Sequence, residues 1–285
     1  MKTKIISIMT QKGGAGKSTL TNSVILDLSM KQLLKTKKQP RVLVVDADSQ
    51  SSIYKRRHKE QERIWLADQY LTAAESSEGK KFLELSAELQ SEAMELRKQL
   101  SAMHQVTGWD CLNSYDIVKI DMGNVGESLR AAMAAIDSNN YDYAFIDMPG
   151  SLYQEGTSEL LELIEHLIIP VDISFFSEDS AEEFTSILND LELSQRFKTL
   201  KFVSNKYKIL QAKQSELVER ELTAKTRIPF METRVKHATI LESRAYNTVI
   251  PLNYRVNLNT AKITHNERQS NIGEFATELL KIVNQ

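Results

Sequence analysis

One cysteine, Cys111, stands in a chain of 285 residues. That scarcity excludes an internal disulfide framework, a cysteine-based zinc site and a metal cluster held by several cysteines of one subunit. Long apolar runs are missing as well. No stretch approaches the ~20 residues that span a bilayer. The basic start, Met1-Lys2-Thr3-Lys4, is followed only by Ile5–Met9 before polar Thr10. That is too short for the core of a secretion signal, so the expectation is a cytoplasmic protein. Net charge is almost absent, at −2 from 36 basic and 38 acidic residues. A uniformly basic nucleic-acid binder is thereby excluded. There is no internal repeat and no low-complexity linker. What is present, 41% hydrophobic and 26% charged residues, suits a sizeable core in an ordinary globular chain.

The charge is segregated along the chain. Residues 106–195 carry 2 bases and 18 acids, whereas residues 196–285 carry 16 bases and 8 acids. Solvated helix faces and a basic binding face both remain open readings of this pattern.

Short continuous apolar runs recur at Ile5–Met9, Arg41–Val45, Tyr143–Ile146, Leu167–Val171, Phe202–Ser204 and Thr248–Leu252, with a weaker one at Trp109–Leu112. Runs of this kind suit strands buried on both faces. Helical patterns at 17–34, 126–138, 155–166, 178–195, 211–225 and 270–283 fill the gaps. The alternation predicts an α/β fold with a doubly wound, mostly parallel sheet. Residues 51–105 break the alternation. Phe82, Leu85, Leu89, Ala93, Leu96, Leu100 and Met103 form one stripe at helical spacing, and Ile64, Ala67, Leu71 and Ala74 form a shorter one. The expectation is one domain over 1–285 with a helical hairpin inserted at 51–105. Its stripe either packs on its own domain or meets a partner.

The most specific feature is Gln11-Lys12-Gly13-Gly14-Ala15-Gly16-Lys17-Ser18-Thr19. It follows a strand and opens a helix. Glycines let successive backbone N–H groups turn around phosphate oxygens, and the helix N-terminus adds partial positive charge. Lys17 would reach the β- and γ-phosphates, and Ser18 would place a hydroxyl on Mg²⁺. Two apolar strands end in aspartate, at Asp46-Ala47-Asp48-Ser49-Gln50 and at Asp147-Met148-Pro149-Gly150. Parallel strands present such ends on one edge, where ligands bind.

Lys-Gly-Gly-x-Gly-Lys-[Ser/Thr] is a deviant Walker A motif, and the sequence resembles the ParA/MinD family of ATPases. The resemblance implies a sheet of P-loop NTPase type, with ATP and Mg²⁺ as ligands. It implies that Lys12 reaches the nucleotide of a partner subunit in an ATP-dependent homodimer. It makes Asp46 the residue that orients the attacking water and Asp147 the Walker B aspartate. Pro149 and Gly150 match the segment that senses the γ-phosphate. Ser49 stands where the family usually has proline. Asn205, after the strand Phe202–Ser204, matches an asparagine that contacts adenine, and a plain turn asparagine is the competing reading.

Arg227 to Val235 resembles a ParA segment whose arginine contributes to nonspecific DNA binding. Arg234 is the match, with Lys236 and Arg227 nearby, and the sequence alone does not place them on one face. Gln11-Lys12 rather than Gly-Lys favours the ParA side, and the C-terminal helical pattern lacks the basic face of a membrane-targeting helix. No helix-turn-helix fits before Ile5, as in the short ParA type on plasmids and conjugative elements. The implied function is a nucleoid-associated DNA partition or transfer ATPase stimulated by a ParB-like partner, with no membrane. The alternative is a MinD-like ATPase that acts on a membrane surface.

Overall fold

The computed structural model describes residues 2–11, 13–110, 114–121, 124–138, 140–151, 156–172, 175–237, 248–251, 254–257, 260, 262–265 and 271–285. Six strands, β1 (Lys4–Ile8), β2 (Val42–Asp46), β3 (Asp116–Lys119), β4 (Tyr143–Asp147), β5 (His166–Val171) and β6 (Thr199–Ser204), form one sheet in the order β3-β2-β4-β1-β5-β6. Every pairing in it is parallel. The doubly wound parallel sheet read from the apolar runs is the observed fold.

Strand alternation builds a core on both faces. Ile6, Ile8, Val42, Val44, Tyr143 and Phe145 point to one layer, where they meet α1 (Lys17–Thr36) and the last helix, α9 (Ile272–Val283). Their neighbours Ile5, Leu43, Val45, Ala144 and Ile146 point to the other. There they meet α5 (Val125–Asp137), α6 (Thr157–Leu163), α7 (Phe175–Asp190) and α8 (Ala212–Thr226). In α9, Ile272, Phe275, Leu279 and Val283 are buried in the core, which makes it the core helix read from its pattern. Among the described residues no helix is long and apolar enough to cross a membrane.

The segment between β2 and β3 holds three helices rather than the two of a hairpin: α2 (Ser52–Ala73), α3 (Ser77–Leu83) and α4 (Ala87–Thr107). The stripe from Phe82 to Met103 is cut because α3 closes at Leu83 and Ser86 caps α4 afresh, its Oγ accepting from Leu89 N–H. Ser76 caps α3 in the same way through Gly79 N–H at 2.9 Å. Serine before a helical run outcompetes continuation because its side chain supplies the acceptor that the first N–H groups lack. Ile64, Leu100 and Met103 join the main core. Phe82, Leu66, Ala67 and Ala93 make a small cluster of their own, with Tyr70 stacked on Phe82.

Two expected strands differ. Thr248–Ile250 is a bend, and Leu252 lies outside the described residues. Thr248 is held there by buried side chains instead of a strand ladder. Trp109 and Asp110 are irregular, with Cys111 and Leu112 outside the described residues. The strand nearby is β3, which has only two apolar residues between charged ends and leaves no apolar run to read. A hairpin of β7 (Tyr254–Asn257) and β8 (Lys262–His265) also escaped the pattern.

Candidate nucleotide site

The loop between β1 and α1 lies at the carboxyl edge of the sheet. Gly14 and Gly16 take φ of +72° and +84°, a left-handed conformation that side chains with a Cβ disfavour. At Gly16 space is also short, since an added Cβ would lie 3.2 Å from Asn205 Nδ2. Gly13 and Gly14 are exposed and Ala15 is buried. Lys12, the second lysine of the loop, lies outside the described residues.

Lys17 and Ser18 open α1, with half-buried Thr19 beside them. Lys17 is largely buried, and its Nζ would lie 3.6 Å from a Cβ built on Gly150. The ammonium therefore sits between the loop and the segment after β4. Ser18 Oγ donates to Asp147 Oδ2 at 2.7 Å. Asp147 pairs in register with Asp46 on the neighbouring strand. Both carboxylates are fully buried, and in each the Oδ1 has no hydrogen-bond partner among the described residues.

Burial pushes the Asp147 carboxyl up to about 7, with Ser18 opposing and the charges of Asp46 and Asp48 adding to it. Burial also raises Asp46, against the backbone N–H of Tyr54, which donates to its Oδ2 at 2.9 Å. Asp48 shapes the loop after β2, accepting from Gln50 N–H at 2.9 Å and, through its carbonyl, from Ser51 N–H at 2.8 Å. Asp48 and Gln50 thus hold this turn without the proline that Ser49 replaces.

The unmet oxygens of this donor set suit Mg²⁺. A hydroxyl joined to a buried carboxylate, with a second carboxylate oxygen unpartnered, fits a hard cation that completes its shell from phosphates and water. Ser18 and Asp147 would hold it, and bound there it would neutralise charge on the phosphates.

An acid whose folded pKa exceeds its unfolded one loses stability as pH rises between the two values. For Asp147 that window runs from 3.8 to about 7. Asp147→Asn should therefore stabilise the nucleotide-free protein in EDTA by up to about 4 kcal/mol at pH 8, and by about 1–2 kcal/mol at pH 5. Denaturant titrations at the two pH values check this, and an unchanged difference refutes the assignment.

Asn205 is buried, and its Nδ2 donates to the Ala15 carbonyl at 2.7 Å. The structure thus joins it to the phosphate loop itself, a contact that sequence reading missed. Arg234 is engaged within the chain. Its Nε and one terminal nitrogen meet Glu219 at 2.8 and 2.7 Å, which raises its pKa, and it lies over Tyr207. Lys236 is exposed and bridges Tyr207, beyond the end of β6. Arg227 is exposed at the end of α8, three residues before Phe230, which pairs with Phe202 in mid-strand. The register thus sets Arg227 toward the opposite edge, so these three cations are not brought together.

A family profile described as an AAA domain matches residues 3–202. The chain belongs to that family. Among curated proteins none matches the sequence. A solved protein of Borrelia burgdorferi B31, described as a candidate plasmid partition protein bound to AMPPNP, is similar at 20% identity and TM-score 0.57, covering 99% of this chain and 98% of that one. MinD of Aquifex aeolicus is similar at 17% identity and TM-score 0.56, covering 98% and 97%. A ParA family ATPase of Chlorobium tepidum gives 14% and 0.55, covering 98% and 100%. The fold is that of the ParA and MinD ATPases, and family and fold together support an ATPase. Nearly equal TM-scores to ParA and MinD mean that the fold does not separate the two branches.

Proposed function

We propose that the chain is a ParA-like ATPase that works as a nucleotide-controlled switch. The observation that carries this reading is the Ser18–Asp147 contact beside the buried, in-register Asp46, at the mouth of a glycine loop. ATP with Mg²⁺ binds this loop, with Lys17 and Ser18 facing the phosphates and Asn205 at the base end. Asp46 orients the water. Two copies close on their nucleotides, each giving its Lys12 to the other, since a cation from a second subunit stabilises charge on the transferring phosphoryl group. Residues 1–285 act as one ATPase domain, with 51–105 as a helical insertion. The protein works in the cytoplasm on the nucleoid in DNA partition or transfer, and a ParB-like partner accelerates hydrolysis.

DNA binding is nonspecific and follows phosphates. Exposed Lys208 and Lys236 at the carboxyl edge support it, and Arg234 adds to it once Glu219 releases it. The core role of α9 supports DNA over a membrane surface. Duplex binding should require ATP and fall steeply with salt, with a log–log slope of about −0.9 per phosphate neutralised. Lys236→Glu should weaken it about tenfold. Binding that ignores nucleotide, or that shows no salt slope, refutes the switch. Co-sedimentation with liposomes in ATP would favour the MinD-like reading instead.

A further inference from the structure

Asp46 is not positioned by β2 alone. The first turn of α2 holds it, through Tyr54 N–H, and one turn further along the same helix stands Arg57. Arg57 is fully buried. Its guanidinium donates to the Thr248 carbonyl at 2.7 Å and to Ser114 Oγ at 3.0 Å, and lies 4.2 Å above the Tyr115 ring. Tyr115 in turn donates its hydroxyl to Asn22 Oδ1 on α1 at 2.9 Å. Asn22 is one helical turn beyond Ser18, on the same side of α1. Glu60, a further turn beyond Arg57, accepts from Thr248 N–H at 2.7 Å and anchors α2 to the same segment.

These contacts form a continuous path between the phosphate-binding helix and the helix that grips Asp46. Stability does not account for it. A buried charge is costly, and apolar side chains of like volume commonly replace one at no loss. A guanidinium gives what an apolar side chain cannot: several donors in a fixed fork, joined to separate segments at set directions.

We infer that Arg57 and Tyr115 are positioning residues that fix Asp46 relative to the phosphate loop, serving hydrolysis and not nucleotide binding. The inference rests on the ATPase reading above. The bonds of Arg57 and Tyr115 run to Thr248, Ser114 and Asn22, so their loss misplaces the water-orienting carboxylate while Lys17 and the glycines stay in place. Misplacement of a reacting group by about 1 Å is enough to cost a large factor in rate.

The test measures steady-state ATP hydrolysis and ATP-analogue binding on the full chain carrying Tyr115→Phe, Arg57→Lys or Arg57→Met. Tyr115→Phe keeps the ring beneath the guanidinium and removes the hydroxyl that joins Asn22 on α1 and, at 3.4 Å, the Thr248 carbonyl. It should lower kcat about 3- to 10-fold, Arg57→Met should lower it more than about 10-fold, and Arg57→Lys should fall between. KM and analogue affinity should stay within about threefold. Analogue affinity that falls in parallel with kcat overturns the inference, because a structural role moves both. So does kcat kept within about twofold in Tyr115→Phe and Arg57→Met. If Arg57→Met does not fold, Tyr115→Phe decides alone. No turnover by the unmodified chain overturns the ATPase reading itself, whereas turnover that the variants keep overturns only the positioning role.

Discussion

Replacing Lys17 by alanine is expected to lower ATP affinity about 100-fold, or about 2.7 kcal/mol. The size follows from where the ammonium sits. It is largely buried between the glycine loop and Gly150, and charge-assisted bonds made from such a position lose little to solvent. Its loss acts twice, since the Lys17 charge also favours the ionised form of Asp147. Lys17→Met is the control, because it keeps the aliphatic stem packed and removes only the charge. Calorimetric titration with a non-hydrolysable ATP analogue, beside thermal unfolding of the free protein, reads the effect. Affinity kept within about threefold in both variants would mean that the loop does not hold phosphate in this way.

Asp46→Asn is expected to lower kcat about 100-fold or more while ATP binding stays nearly unchanged. One oxygen of Asp46 is fixed by Tyr54 N–H and the other is buried without a partner. A carboxylate held in that way has its direction set by Tyr54 and keeps an unmet acceptor. Burial raises its pKa, which brings it closer to the range where a base works at neutral pH. Asparagine retains an oxygen for Tyr54 and loses basicity, so binding and folding should survive. If the chain switches as proposed, a nucleotide-bound dimer should then persist longer, readable by size-exclusion chromatography in ATP and Mg²⁺. Unchanged hydrolysis together with unchanged dimer lifetime would remove Asp46 from the role.

The site was legible in the sequence to the extent that local chemistry dictated it. Gly14 and Gly16 stand out because the left-handed backbone they adopt excludes most other residues. Asp46 and Asp147 could be marked because each ends an apolar run, and parallel strands bring such ends to one edge. The central strands were legible for the same reason, being buried on both faces. β3 was not, because an edge strand with charged ends has no pattern of that kind. The stripe from Phe82 to Met103 misled because periodicity continues across Ser86, where a capping hydroxyl starts a new helix. Contacts set by tertiary packing left no local signal at all. The link from Asn205 to the loop and the burial of Arg57 belong to this kind. Arg56-Arg57 in a polar helix reads as two solvent-facing cations, and only packing shows one of them in the interior. Arg234 shows the converse, a cation read as free for phosphate that Glu219 holds.

The bond from Asn205 to Ala15 closes a span of 190 residues. This has a consequence for the order in which the molecule becomes competent during synthesis. Its earliest strand, β1, lies between β4 and β5 and finds no sheet neighbour until much of the chain has been made. Contacts this distant form late, after the entropy of closing a long loop has been overcome. The nucleotide loop is translated among the first residues and waits for the last strand of its sheet to bring Asn205 to it. A nascent or truncated chain that stops before β6 carries the whole glycine motif without that bond. The motif is written in nine consecutive residues, and its shape is a property of the finished sheet.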